Sequence, residues 1–413
     1  MGREQLLREF QRVRAFTEKL CQPLAVDDYQ IQSIVQTSPP KWHLAHVSWF
    51  FETFILGHFK PDHAPFHASF DYLFNSYYYT HGKMQPRPER GLLSRPTVEH
   101  VMAYRAYIDE QIRKLITQVD EKAWPSLSNR MVLGLNHEQQ HQELLLMDIK
   151  HNFFINPLRP AYRDTLVIPA GATSPIHWFE CEGGLYSIGH QGEGFSFDNE
   201  TPRHSVLLYD HRLADRLITN GEYLEFITDG GYTNPALWLA DGWALLQTQQ
   251  WRHPLYWEQQ DSEWRQFTLS GLQPLNHAEP VCHISYFEAD AYARWVGKRL
   301  PKEEELEVAL EEQKMIGNFT NTDLFHPVPA KKDGQWFGDL WAWTCSPYIA
   351  YPGFKPLAGR MGEYNGKFMS SQMVLKGGSC VTPKGHTRAS YRNFFYPNER
   401  WMFSGLRLAE DVA

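Results

Sequence analysis

Hydrophobic positions in the first 150 residues recur at the three- and four-residue spacing of amphipathic helices. The segments with this pattern are residues 2–20, 40–58, 97–119 and 128–151. Thr97 stands before the third segment, with Glu99 in the first turn, and predicts a helix N-cap there. A long, proline-containing excursion over residues 61–96 separates the second segment from the third. The pattern therefore predicts a four-helix bundle with one elaborated crossover.

The pattern changes after residue 155. Residues 156–170 hold three prolines and lack helical periodicity, which is typical of a domain boundary. Beyond them, short segments rich in glycine and tryptophan predict short strands and many loops, and one clear helical pattern lies near residues 285–297. We therefore predict an α+β multidomain protein, with a helical bundle over residues 1–155 and a mixed α/β, loop-rich domain over residues 156–413.

Composition narrows the class of protein. The chain has 413 residues, with 40 Lys and Arg against 48 Asp and Glu and a net charge of −8. This balance argues against partners that need a basic surface, namely nucleic acids and anionic membranes. No apolar run is long enough to span a membrane, and five dispersed cysteines without CxxC spacing predict a reduced, cytoplasmic protein. The 19 histidines and 59 aromatic residues (14 Trp, 20 Tyr, 25 Phe) point to a metal and to a ligand contacted by rings.

Two histidines in the fourth helical segment have the spacing of metal ligands. His137 and His141 lie at positions i and i+4, so both side chains project from one helix face and can bind one ion. Glu143 lies about 200° around the helix from His141 and points away. A third ligand must therefore come from another helix, and the second segment offers His43 and His46. Helical periodicity does not choose between them.

The same residues also match the HExxH pattern of zinc proteases, in which Glu138 would be the general base. The two glutamines between His137 and His141 are polar positions on a helix expected to be buried, and no second feature of such proteases follows. An isolated histidine pair at this spacing is also common in helices without a metal. Spacing alone leaves these alternatives open.

Longer segments resemble a known family. The helical half resembles the DinB-like domain of the hercynine oxygenases, the sulfoxide synthases of ergothioneine biosynthesis, in WHLAHVSWFFETF (42–54), NSYY (75–78), RPERGLLSRPT (87–97) and NHEQQHQELLL (136–146). The second half resembles the C-type-lectin-like fold of formylglycine-generating enzymes in NETPRHSV (199–206), LKGGSC (375–380) and FSGLRLA (403–409). Formylglycine chemistry needs a cysteine pair, whereas only Cys380 follows the GGS sequence here. We therefore expect this domain to shape the acceptor pocket.

The resemblance implies a non-haem Fe(II) site with His46, His137 and His141 as ligands, and so favours His46 over His43. Three histidines leave open positions for an imidazole, a thiolate and O2, although imidazole ligands alone do not identify the metal. The implied reaction joins the sulfur of cysteine to C2 of the imidazole of hercynine (trimethylhistidine) and gives a sulfoxide.

The resemblance also implies roles for other residues. Tyr77 and Tyr78 are implied as proton or electron donors, Arg87 and Arg90 as ligands of the donor's carboxylate, and Gln140, Asn393, Phe394 and Phe395 as contacts of the acceptor. Phe394 and Phe395 replace a Trp-Asp pair of the branch that uses γ-glutamylcysteine, which favours free cysteine as the sulfur donor.

Several alternatives remain at this point. Enzymes of the same plan act on unmethylated histidine in ovothiol synthesis or use a selenosugar to make selenoneine. A three-histidine zinc or nickel thiol transferase or hydrolase, and a lectin-like binding module without a metal, belong to other classes of protein. The sequence does not specify the oligomeric state.

Overall fold

The computed structural model describes residues 1–166, 168–169, 171–331 and 334–412. The chain divides into two compact units. The first, here called the helical unit, comprises Met1–Leu158 together with Leu357–Tyr364. The second, here called the mixed unit, begins at Arg159 and comprises the other described residues. A segment late in the sequence therefore belongs to the helical unit, which the hydrophobic pattern does not predict.

The four predicted helices are present in the helical unit, and the predicted bundle is confirmed. Its helices are α1 (Arg3–Cys21), α2 (Pro40–Phe51), α3 (Gly57–Phe59), α4 (Phe70–Phe74), α5 (Val98–Gln118) and α6 (Trp124–Ile155). Thr97 caps α5 as predicted, since its side chain accepts a hydrogen bond from the backbone N–H of His100. Helix α6 begins before the predicted residue 128, because Pro125 suits the first turn of a helix, where backbone N–H groups need no intrahelical partner.

Helix α2 is the centre of the bundle. Every one of its residues is buried, including polar ones, so it has no solvent-facing side. It continues into a π-helical turn, Glu52–Leu56. The buried carboxylate of Glu52 accepts hydrogen bonds from Tyr104 of α5 and from the backbone N–H of Phe66 in the crossover. These bonds fix the crossover against the bundle.

The mixed unit combines helices with short strands, as predicted. Its helices are α7 (Asn220–Thr228), α8 (Ala240–Gln249), α9 (Tyr286–Trp295) and α10 (Glu303–Glu311). The pattern near residues 285–297 correctly predicts α9, and Ser285 with Glu288 forms its capping box. Helices α7, α8 and α10 were not predicted, because nine or ten residues give too few turns for a clear apolar period.

The strands form several small sheets. They are β1 (Trp178–Cys181), β2 (Gly184–Ile188), β3 (His204–Leu208), β4 (His211–Ala214), β5 (Trp257–Gln260), β6 (Glu263–Thr268), β7 (Gly271–Pro274), β8 (Gly317–Asn318), β9 (Phe337–Gly338), β10 (Trp341–Pro347), β11 (Met373–Lys376), β12 (Asn393–Phe395), β13 (Ser404–Gly405) and β14 (Ala409–Asp411). The largest sheet has the order β12-β11-β10-β13. The other sheets have the orders β1-β4-β14, β5-β6-β7, β2-β3 and β8-β9.

Across the part of the chain that the structure describes, none of the helices is both long and apolar enough to cross a lipid bilayer.

Candidate metal centre

Three buried histidines converge between α2 and α6. His46 comes from α2, and His137 and His141 come from successive turns of α6. One ring nitrogen from each residue lies within 4.8 Å of the other two. The fully buried central helix α2 packs against α6, so the i, i+4 face of α6 is turned towards His46. The arrangement brings together the three residues that the family resemblance implies as ligands.

Hydrogen bonds indicate which nitrogens are available to an ion. His46 Nδ1 lies 2.5 Å from the carbonyl oxygen of Phe74 and donates to it, which leaves the Nε2 lone pair free. That Nε2 lies 3.2 Å from His137 Nε2. His141 Nδ1 is bonded to His43 Nδ1 at 2.8 Å, so its Nε2 is the atom open to a metal. His43 is thus a neighbour of the cluster, whereas His46 is one of the three residues that could together hold a metal ion.

Burial keeps these imidazoles neutral. Desolvation lowers the pKa of His46 and of His141 well below the usual range of histidine, and neighbouring imidazoles add to the effect. Burial also lowers the pKa of His137 to about 3. A neutral imidazole is the form that ligates a metal, so the free site is already in its binding protonation state at neutral pH.

Aromatic rings surround the cluster. Trp42 stacks on His46 with ring centroids 4.5 Å apart, and Trp49 stacks on it at 5.5 Å. Phe50 stacks on His137 at 4.3 Å. These rings restrict how the imidazoles can rotate and make the surroundings apolar, which strengthens electrostatic interactions inside the site.

Glu138 faces away from the cluster. Its carboxylate accepts hydrogen bonds from Arg14 (2.9 Å), Arg105 (3.1 Å) and Thr17 (2.7 Å). Burial raises the pKa of this carboxyl, but the two guanidinium charges outweigh burial and hold it at about 2. A protease base must reach a metal-bound water, so this geometry argues against the zinc-protease alternative. Among the described residues, the cluster able to hold a metal also leaves out Glu143.

The predicted tyrosines lie next to each other, and Trp49 connects them to His46. Tyr78 is fully buried and contacts Trp49, and its ring stacks on that of Tyr77 at 4.7 Å. Burial raises the pKa of Tyr78 well above that of a free phenol. The roles of both tyrosines as proton or electron donors remain predictions.

Tyr364 is a site residue that sequence reasoning missed. It ends the Leu357–Tyr364 segment of the helical unit, and its ring lies 5.8 Å from His137 and 6.4 Å from Tyr77. Its hydroxyl donates a hydrogen bond to the side-chain oxygen of Gln140, a predicted acceptor contact. No local pattern signals this position, because its neighbours in space lie more than 200 residues earlier in the chain.

The two predicted arginines differ in their surroundings. Arg90 is buried, and its guanidinium lies 3.5 Å from the ring centroid of Trp42 and donates to the hydroxyls of Ser38 and Ser76. Desolvation lowers the pKa of Arg90 well below its usual value. Arg87 is exposed and donates to a backbone carbonyl, that of Gln36.

The predicted acceptor contacts Asn393, Phe394 and Phe395 form strand β12 of the mixed unit. Phe394 stacks on Tyr348 with centroids 4.0 Å apart and planes 9° apart, and Phe395 contacts Trp401 edge-on. All three are half-buried. Their role towards an acceptor remains a prediction.

Comparisons with known proteins cover both units. Residues 9–145 match the DinB superfamily, and residues 166–412 match the sulfatase-modifying factor enzyme 1-like domain. The hercynine oxygenase of Mycolicibacterium smegmatis is 31% identical over 91% of this chain and 91% of its own. That of Mycobacterium tuberculosis is 32% identical over 67% of this chain and 70% of its own. The ergothioneine biosynthesis protein 1 of Schizosaccharomyces pombe is 27% identical over 52% of this chain and 28% of its own. With both domain types in the same order along nearly the whole chain, this protein belongs to the hercynine oxygenase family of enzymes.

Proposed function

We propose that the protein is a non-haem iron(II) sulfoxide synthase that couples cysteine to hercynine with O2. The observation that carries this proposal is the buried, neutral cluster of His46, His137 and His141 in a chain of the hercynine oxygenase family. In the overall reaction, the imidazole C2–H and the thiol S–H bonds break and a C–S bond forms. One oxygen atom of O2 is retained in the sulfoxide and the other leaves as water, so the four electrons that O2 accepts come from the two substrates.

The residues present fit an iron ion. His46 and His141 each offer Nε2 while Nδ1 is engaged elsewhere, and His137 offers Nε2 towards His46. His137 Nδ1 is buried without a hydrogen-bond partner in the described part of the chain, so this ring needs another interaction to offset its desolvation. When bound, Fe(II) would supply redox chemistry with O2 and open positions for the two substrates.

Arg90 is suited to bind the carboxylate of the sulfur donor. Its guanidinium is buried beside Trp42, which stacks on His46, so a bound amino acid would lie close to the cluster. Its hydrogen bonds to Ser38 and Ser76 go to neutral hydroxyls, and a carboxylate would offset the desolvation of the charge better than these do. Arg87, which is exposed, is proposed as a further contact of the same carboxylate.

The tyrosines are suited to hold a proton near the reacting atoms. The raised pKa of Tyr78 keeps its hydroxyl protonated at neutral pH. Tyr364 is already oriented by its hydrogen bond to Gln140, and its ring contacts those of His137 and Tyr77. We infer that this group of phenols supplies the proton or electron that directs the reaction to the sulfoxide, and that Gln140 borders the imidazole of the acceptor.

Phe394 and Phe395 are proposed to contact the trimethylammonium group of hercynine, and Asn393 its carboxylate. An aromatic face attracts a quaternary ammonium by about 0.5–2 kcal/mol. With phenylalanine at both positions, the segment has no carboxylate of its own to bind the amine of a longer donor such as γ-glutamylcysteine.

The test is product analysis with paired substrates. Protein loaded with Fe(II) without oxygen is mixed with O2, either hercynine or histidine, and either cysteine, γ-glutamylcysteine or a selenosugar. We expect mass spectrometry to find the hercynine–cysteine sulfoxide as the main product. A main product from histidine or from the selenosugar would identify the alternative acceptor or donor. Coupling supported by Zn(II) without consumption of O2 would identify a thiol transferase and contradict the proposal.

A further inference from the structure

His43 and Asp148 form a buried hydrogen-bonded pair directly behind His141. His43 Nε2 lies 2.9 Å from Asp148 Oδ2, and His43 Nδ1 lies 2.8 Å from His141 Nδ1. The side chains of His43 and Asp148 are each 3% exposed. The reaction proposed above assigns no role to this pair, although a buried imidazole and a buried carboxylate are costly to keep without one.

The hydrogen bonds fix the proton on each ring. A carboxylate only accepts hydrogen bonds, so His43 Nε2 must carry its proton towards Asp148. In the neutral imidazole the other nitrogen, His43 Nδ1, is then an acceptor, and His141 Nδ1 must be the donor to it. His141 therefore has its lone pair on Nε2, the nitrogen that faces the cluster. The carboxylate thus determines, through one intervening ring, which nitrogen of His141 can bind a metal.

Asp148 is itself held in place. The same oxygen, Oδ2, accepts a hydrogen bond from the backbone N–H of Ser38 at 2.8 Å. Ser38 precedes α2, the helix that carries His43, and Asp148 lies on α6, the helix that carries His141. The carboxylate therefore bridges the two helices that supply the candidate ligands.

We propose that Asp148 and His43 are positioning residues that fix His141 in its metal-binding tautomer, in the order Asp148, His43, His141. The inference rests on the proposed metal site. Ligating imidazoles generally donate their second N–H to a carboxylate, a carbonyl or water, and the loss of such a partner lowers metal affinity about 10- to 100-fold. His46 uses the Phe74 carbonyl in this way, whereas His141 uses an imidazole whose own tautomer depends on a carboxylate.

The test measures binding of Co(II), a spectroscopic probe for the site, to the metal-free full-length protein in competition with a chelator. His43→Phe keeps a ring in place but removes both nitrogens. Asp148→Leu keeps a side chain of similar size but removes the oxygen that accepts the proton of His43 Nε2. We expect each variant to weaken Co(II) binding about 10- to 100-fold and to alter the Co(II) absorption spectrum. His151→Phe is the matched control, since His151 is a buried histidine of α6 bonded to Ser33, and it should bind Co(II) as the wild type does.

The double variant separates positioning from general damage. Because Asp148 acts through His43, adding Asp148→Leu to His43→Phe should weaken Co(II) binding no further than His43→Phe alone. Unchanged affinity in both single variants, or losses that add in the double variant, would overturn the proposal. Should His43→Phe fail to fold by circular dichroism, wild-type affinity in Asp148→Leu alone would overturn the proposal. A wild-type protein that binds no Co(II) would instead refute the metal site, and with it this inference.

Discussion

At the residue scale, the candidate centre depends on side chains that burial holds in one protonation state. The histidines of the cluster are neutral because they are desolvated, and the phenol of Tyr78 is protonated for the same reason. The carboxylate of Glu138, by contrast, stays ionised because two guanidinium groups contact it.

The phenols are expected to control the product. Tyr77→Phe, Tyr78→Phe or Tyr364→Phe removes a hydroxyl near the cluster without changing the packing of the ring, so we expect the ratio of sulfoxide to oxidised thiol to fall. Chromatography with mass detection measures this ratio. Tyr79→Phe is the matched control, because Tyr79 is 72% exposed. Wild-type ratios in all three variants would refute the role of the phenols.

Glu138 is expected to stabilise the fold. Replacing it with glutamine removes the countercharge that Arg14 and Arg105 share and leaves them only the less buried carboxylates of Asp109 and Glu18. Removal of one partner from a buried ion pair costs up to about 3–5 kcal/mol. Urea unfolding of Glu138→Gln should show this loss. Glu110→Gln is the control, because Glu110 pairs with Lys114 at the surface and such pairs contribute about 0–1 kcal/mol. Inactive Glu138→Gln protein with wild-type stability would instead favour the zinc-protease alternative.

His151 is expected to make stability depend on pH. Burial lowers the pKa of His151 to about 4, whereas the pKa of a histidine in an unfolded chain is about 6.5. Below that pH the unfolded chain binds a proton that the folded chain does not, so stability falls as the solution is acidified. Between pH 7 and pH 5 the free energy of unfolding of the wild type should fall by about 2 kcal/mol more than that of His151→Phe. Equal pH dependence in the two proteins would contradict this assignment.

At the scale of elements, whether the sequence predicted a helix depended on the length of that helix and on how much of it is buried. Helices α1 and α5 are long, with one buried and one exposed side, so the apolar period indicated them. Helix α6 has exposed residues only near its two ends, and its length of 32 residues made it recognisable. Helix α2 is buried on every side, and its periodicity could not choose between His43 and His46. Helix α7 is short, but Thr219 and Glu222 form a capping box that could have indicated it.

The cap of α5 offers a test at this scale. The Thr97 hydroxyl accepts a hydrogen bond from the backbone N–H of His100. Replacement of such a cap by alanine lowers the free energy of unfolding by about 1 kcal/mol. Thermal unfolding of Thr97→Ala should show that loss, and Thr97→Ser, which keeps the hydroxyl, should retain most of the stability. Equal stability of the alanine and serine variants would show that the hydrogen bond contributes nothing measurable.

At the scale of the whole molecule, the sequence predicted the order of a helical bundle and a mixed domain, and the spacing of His137 and His141 allowed a shared ion among other interpretations. Neither signal could indicate that Leu357–Tyr364 belongs to the helical unit, because local patterns hold no information on contacts between residues so far apart in the chain. The spacing of residues along one helix could not identify the third candidate ligand either, because that residue lies on a different helix. The resemblance implies His46, and the fold brings one of its ring nitrogens within 4.8 Å of those of His137 and His141.

The stoichiometry of oxygen tests the central claim most directly. Protein reloaded with Fe(II) is given hercynine and cysteine, and O2 uptake is measured beside the amount of sulfoxide formed. We predict one O2 consumed per sulfoxide, with no product from the metal-free or Zn(II)-loaded protein or from His46→Ala, His137→Ala or His141→Ala. Sulfoxide formed at the wild-type rate by any of these variants, or without O2 uptake, would contradict an iron site built from the three histidines.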